Sequence, residues 1–265
     1  MTATISDTCT VLAFYGTSSK AEDGRSFYES ATRWFSELGW PPDKLSVKGS
    51  GYAGKPISFS RADAKLKENR FLGVHNLFVV SMTPDGVIPV NDYMCAADWA
   101  SDQSWAFVSV RTSLVKLSHE SLLPVARKLI KHLCPEYGIG YVRRHDQGPA
   151  MYAIGINQGG DITDGEDYDA ELAISRWSDA IAEERVWRQG IIRDVYLWNF
   201  LTRPQLDRSV GQISLERWIE KDSRRGVLKP LEKDVILWEV EESNIAEVRQ
   251  KLWDHDVIYN WRGES

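Results

Sequence analysis

HNLFVVSMT, residues His75–Thr83, is followed by Pro84-Asp85-Gly86 and then by SWAFVSVR, residues Ser104–Arg111. The first run is apolar and rich in strand formers, the triplet is turn chemistry, and the second run alternates. IGYVRR (139–144) and MYAIGI (151–156) repeat the pattern, with a turn through Gly148-Pro149. Strands that follow one another in the chain pair antiparallel through short connections, whereas a parallel sheet needs a crossover helix between partners. The expected class is therefore α+β, with a mixed or antiparallel sheet and helices packed on it, not a doubly wound parallel sheet.

Working outward, TVLAFYG (Thr10–Gly16) reads as a buried strand. Phe27, Ala31, Trp34, Phe35 and Leu38 then share one helical face, closed by Gly39 and Pro41-Pro42. KLSV (44–47) is a short strand, and a second helix covers Arg61 to Arg70. Leu122, Ala126, Leu129, Ile130 and Leu133 mark a third helix, with Ser121 as its expected cap and Pro124 in its first turn. DVYLWNFL (194–201) reads as a strand and Ser214–Glu220 as a short helix. The chain ends in VILWEV, a helix through Ile245, Val248 and Leu252, and VIYNW, which together read as a β-α-β unit. The expected seam is the Gly159–Gly165 loop. It separates an N-terminal α+β part, 1–160, from a smaller C-terminal one, 161–265, with both packed as one body.

A length of 265 residues is enough for a sizeable core, and 43% hydrophobic with 26% charged residues is ordinary for a soluble globular protein. No apolar run approaches the ~20 residues of a membrane helix. The first residues lack the basic region of a signal peptide, so the expectation is a cytoplasmic protein. Cys9, Cys95 and Cys134 are odd in number and widely spaced, which argues against a disulfide framework or a zinc site and for three buried structural thiols. Eleven tryptophans are many, with seven from Trp177 onward. No dense basic stripe accompanies them, so a nucleic-acid partner is not expected.

GSGYAGKP, Gly49–Pro56, fits two phosphate-binding templates, G-x-x-x-x-G-K and G-x-G-x-x-G. Pro56 stands where a phosphate loop needs a hydroxyl, and it pushes Lys55 out of helical geometry. ISFS follows, so no helix opens inside the loop to face a phosphate. The stretch reads as a loop between strands, and no nucleotide or other cofactor is expected.

Charge is unevenly placed. Between Asp161 and Glu184 lie nine acids and one base, Arg176, so this stretch carries −8 of a chain whose net charge is −6. Asp161, Asp164, Glu166, Asp167, Asp169 and Glu171 open it as a Gly/Asp loop that becomes a helix with Ala170, Ala173, Ile174, Trp177 and Ile181 on its inner face. Their order does not match a calcium loop, and no metal site is expected. Local charge of this kind steers encounter with a partner more than it shapes folding. Among the histidines (His75, His119, His132, His145 and His255) no pair has metal-ligand spacing. RRHDQG, Arg143–Gly148, is the most catalytic-looking stretch: His145 as general base, with Arg143 or Arg144 steadying an anion. A surface turn explains the same letters.

Through YGIGYVRRHDQGPAMYAIGI (137–156) and RDVYLWNFLTRPQLDRSVGQISLERWIEKDSRRGVLKPLEKDVILWEV (193–240), the chain resembles bacterial immunity proteins of type VI secretion and other polymorphic toxin systems. The shared features are the strand-helix start, a YGxxYV-like strand in mid-chain and a Trp-rich C-terminal part. The resemblance implies a non-enzymatic protein that binds and blocks a cognate protein toxin, and it transfers no catalytic residue. The acidic stretch would then be the surface that meets a basic partner. Two alternatives stay open. One is a small-molecule hydrolase or transferase using His145 beside a pocket lined by Tyr152 and Trp198. The other is a regulatory ligand-binding module suggested by the terminal β-α-β unit.

Overall fold

The structure, a computed structural model, describes residues 7–157 and 165–262, with 165–170 described by backbone alone. The N-terminal run of apolar residues forms strand β1 (Thr8–Tyr15). Val11, Ala13 and Tyr15 face one core layer while Leu12 and Phe14 face another. That two-sided burial is why the run is continuously apolar instead of alternating with polar residues.

Helix α1 (Ala21–Glu37) follows, then β2 (Lys44–Gly49), β3 (Tyr52–Ala53), β4 (Ile57–Ser58) and α2 (Phe59–Glu68). Strands β5 (Val74–Met82), β6 (Tyr93–Ala100) and β7 (Trp105–Arg111) come next, then α3 (Leu123–Leu133), β8 (Tyr137–Arg144) and α4 (Pro149–Ala153). The rest comprises α5 (Gly165–Asp179), β9 (Trp198–Leu201), α6 (Arg203–Leu206), a small hairpin of β10 (Ser209–Val210) and β11 (Ile213–Ser214), and α7 (Leu215–Glu220). It ends with β12 (Val227–Pro230), β13 (Ile236–Glu239) and α8 (Ile245–Trp253).

Among the described residues one eleven-stranded sheet runs β12-β13-β9-β8-β1-β7-β6-β5-β2-β3, with β4 also on β2. Each of its ladders is antiparallel. Helices α1, α2 and α3 cover one face through residues such as Phe27, Phe35, Leu66 and Ile130. The opposite face is covered by α4 and the later elements through Trp177, Trp187, Trp218 and Leu252. This is an α+β fold. Strands β9, β13 and β12 extend the same sheet beyond β8, so hydrogen bonding runs across the expected seam.

Four local expectations change. MYAIGI is not a strand: Gly148 in the left-handed region (φ +57°) and Pro149 at the first helical position start α4 instead. VIYNW makes a single parallel bridge, Ile258 to Ile192, so the terminal unit is a strand and a helix without a second ladder. Ser121 does not cap α3. Its hydroxyl donates to the Lys116 carbonyl at 2.8 Å, and Leu122 occupies the cap position. Finally, Cys134, expected to be buried, is exposed at the end of α3. YMCAADWA, for which no element was expected, forms β6, unannounced by β-branched residues. Its alanines are small because both faces of the strand are packed.

GSGYAGKP forms the β2–β3 hairpin and its exit. At Gly49 (φ +151°) an added Cβ would lie 2.0 Å from the Gly73 carbonyl oxygen, so the tight crossing admits only glycine. Helix α2 begins only at Phe59, beyond β4, and its Phe59 N–H donates to the Asp43 carbonyl at 2.8 Å, so no helix opens inside the loop as a phosphate site requires.

Candidate functional site

The acidic stretch is divided by what the structure describes. Asp161 and Asp164 lie outside the described residues, and with them the first part of the stretch tested against the calcium pattern. Glu166, Asp167 and Asp169 fall in the first turns of α5, described by backbone alone. Glu171 accepts a hydrogen bond from Asn157 Nδ2 at 2.9 Å and is half-buried. Further along, Ile174, Trp177 and Ile181 enter the core, while Asp179, Glu183 and Glu184 are exposed. Trp177 is fully buried and meets Tyr15 edge-on at 5.3 Å, which pins α5 to the central strand. The helix then passes into a π-helical turn, Ala180–Glu184, and ends at Arg185 (φ +46°).

Beneath α5 lies a group that sequence reasoning did not single out. Arg193 is 7% exposed and sits among Tyr15, Tyr137, Tyr152 and Trp177. Its guanidinium stacks 4.0 Å from the centre of the Tyr152 ring, and Nη1 donates to the Tyr152 carbonyl at 2.9 Å. Carbonyl dipoles and ring faces thus solvate a cation that has been taken out of water. The available signal was a lone arginine in IIRDV, right after the fully buried Ile192.

His145 lies in a 3₁₀ turn, His145–Gln147, just after β8. Its ring packs edge-on against Tyr93 at 5.3 Å, and its Nε2 is buried with no hydrogen-bond partner among the described residues. Burial, then the nearby Arg111 cation, pull its pKa below the ordinary histidine value, which favours the neutral ring. The neighbouring arginines are engaged elsewhere. Arg144 pairs with Asp146, while Arg143 lies 4.4 Å from the Tyr152 ring and donates to the Gln147 carbonyl. Tyr152 packs on the α4 side of the sheet and Trp198 on the α3 side, so the two do not line a common pocket. Tyr152 instead shares a hydrogen bond of 2.9 Å with the Tyr196 hydroxyl.

Of the remaining histidines, His75 is exposed on β5, His132 is half-buried on α3, and His119 contacts Glu239. No group of three metal-ligating side chains occurs among the described residues. Their helices include none long and apolar enough to cross a membrane.

The sheet order, with helices on both faces, is the geometry against which known proteins can be compared. The chain is similar in fold to the Pseudomonas aeruginosa T6SS protein PA0821. The match has a TM-score of 0.56 at 11% identity and covers 94% of this chain and 73% of that one. At that identity the likeness is one of fold, and it takes in residues on both sides of the 159–165 stretch. No protein family matches the chain, and no curated protein does.

Proposed function

We propose that this chain is a non-enzymatic interaction protein of a bacterial type VI secretion system, an immunity protein that binds and neutralises a cognate protein toxin. The observation that carries the reading is the likeness in fold to a T6SS protein along 94% of the chain. The charge distribution supports it. The 161–184 stretch holds −8, and a concentrated acidic surface raises the encounter rate with a basic partner. The partner-facing surface in this reading comprises Asp161, Asp164, Glu166, Asp167, Asp169 and Glu171. His145, the residue an enzymatic reading would use, is engaged in packing: its ring lies edge-on against Tyr93 at 5.3 Å, and burial favours its neutral form.

Co-expression tests the reading. Products of the genes adjacent to this one are expressed singly in a bacterial host. One of them is expected to arrest growth, and this chain to relieve the arrest through a complex that survives gel filtration. Arrest that persists in the presence of the chain, or turnover of a small molecule by the purified chain, overturns it.

A further inference from the structure

Two donors buried side by side have no acceptor. Arg193 is 7% exposed and Trp177 is fully enclosed, yet Arg193 Nη2 and Trp177 Nε1 make no hydrogen bond among the described residues. The guanidinium lies 5.3 Å from the centre of the indole. Both groups come to the hydroxyl of Tyr15: Arg193 Nη1 reaches it at 3.5 Å, and the Trp177 N–H approaches it without forming a hydrogen bond. That hydroxyl itself donates to the Ala153 carbonyl at 2.7 Å. Buried polar groups nearly always find a partner, because an unpaired donor forfeits the hydrogen bond it made to water. Two such donors in contact, one of them on a cation, call for a shared acceptor.

The described residues supply no negative charge there. Arg193 makes no ion pair among them, and the Tyr152 and Ala153 carbonyls serve its Nη1, at 2.9 and 3.4 Å, leaving Nη2 unserved. Asp194, next in the chain, accepts from Arg249 Nε at 2.6 Å and from the Val195 N–H at 2.7 Å. Glu136 is held by Trp187 and Arg188, Glu171 accepts from Asn157, and Glu184 accepts from the Tyr259 hydroxyl. Burial pushes the phenols of Tyr15, Tyr137, Tyr141 and Tyr196 above the ordinary tyrosine value, so they keep their protons at neutral pH. We infer that Arg193 and Trp177 form an internal binding site for a small monovalent anion of the halide class, with Nη2 and the indole N–H as its donors beside the Tyr15 hydroxyl. In a low-dielectric interior the attraction of this cation for an anion is far stronger than at the surface, and the two N–H groups replace part of the ion's hydration. Two donors are too few for the oxygens of phosphate or sulfate, and a second negative charge adds a desolvation cost that one guanidinium does not offset. Trp177 belongs to α5 and Arg193 to the segment after it, so the bound ion joins the two and its occupancy is read as stability.

The test uses the native full chain at constant ionic strength while sodium isethionate is replaced by sodium chloride or sodium bromide. In either halide the melting temperature is expected to rise along a saturable, single-site curve, as binding to the folded state alone requires. Crystals grown in bromide are expected to show one anomalous peak within hydrogen-bond reach of Arg193 Nη2 and Trp177 Nε1. Trp177→Phe keeps an aromatic ring and removes the N–H, and it should weaken the apparent halide affinity about tenfold. Arg193→Gln should abolish the saturable response. A melting temperature indifferent to the exchange, water in place of bromide at the two donors, bromide on the surface as an adventitious ion only, or an unchanged affinity in a folded Trp177→Phe protein overturns the inference. If neither variant folds, the bromide position in the native crystal decides alone.

Discussion

Asp98 is 8% exposed on β6, its carboxylate accepting from Asn76 Nδ2 at 2.6 Å, and burial pushes its pKa up to about 8. An unfolded aspartate titrates near ~3.9. Between those values the unfolded chain has released its proton while the folded chain keeps it, so stability falls as pH rises, by about 1.4 kcal/mol per unit. Asp98→Asn should therefore raise the urea midpoint at pH 8, with the gain shrinking toward zero near pH 4. Equal gains at both pH values would show that Asp98 is ionised in the fold. Gly24 poses a steric question instead. It faces the core from α1, and a Cβ there would lie 2.5 Å from two carbons of the fully buried Trp99 ring. Alanine improves helix propensity by about 1 kcal/mol, but overpacking a rigid ring costs roughly 1–3 kcal/mol. Gly24→Ala should lower the melting temperature, and a rise would mean that the ring has room to move.

At the scale of elements, the start of β8 is tied to the segment after α5 by one carboxylate. Glu136 accepts from Trp187 Nε1 at 2.8 Å and from Arg188 Nε and Nη2 at 2.7 and 2.8 Å, while its backbone carbonyl accepts from Thr202 Oγ1. The exposed arginine pair contributes little, because water screens it. The larger effect comes from the indole N–H of a buried tryptophan, which loses its acceptor when the side chain is removed. Glu136→Ala should cost about 1–3 kcal/mol in chemical denaturation, whereas Glu136→Gln, which keeps an oxygen acceptor, should cost less. Equal losses would place the effect in charge instead of hydrogen bonding. Trp177 does the same work for α5 through packing. Trp177→Ala should cost about 3–5 kcal/mol and reduce the helical circular dichroism.

Over the whole molecule, the −8 held between residues 161 and 184 outweighs the +2 of the remainder. Changing Asp164, Asp167 and Asp169 together to lysine brings the net charge from −6 to 0. In the proposed function, that triple variant should associate with the toxin about tenfold more slowly at low salt and lose most of its salt dependence, as stopped-flow mixing would report. Unchanged association would remove the acidic stretch from the interface while leaving the fold likeness in place.

How much of this was legible in the chain depended on range. Periodic apolar residues declared β1, α1, α3 and β5, because an element that buries one or both faces must write that burial into its own letters. The succession of adjacent strands likewise pointed to the α+β class while leaving a mixed or an antiparallel sheet open, and the tertiary structure decided for antiparallel ladders. The tertiary structure alone decided that YMCAADWA is a strand and MYAIGI a helical turn. In the first, neighbouring strands supply the packing that the alanines lack. In the second, a left-handed glycine and a proline override the apolar run. It alone set Arg193 among tyrosines from distant segments, and Cys134 against Lys233, ninety-nine positions apart. Sequence patterns report what each segment does with its own faces, whereas contacts between remote segments exist only once the sheet has brought them together.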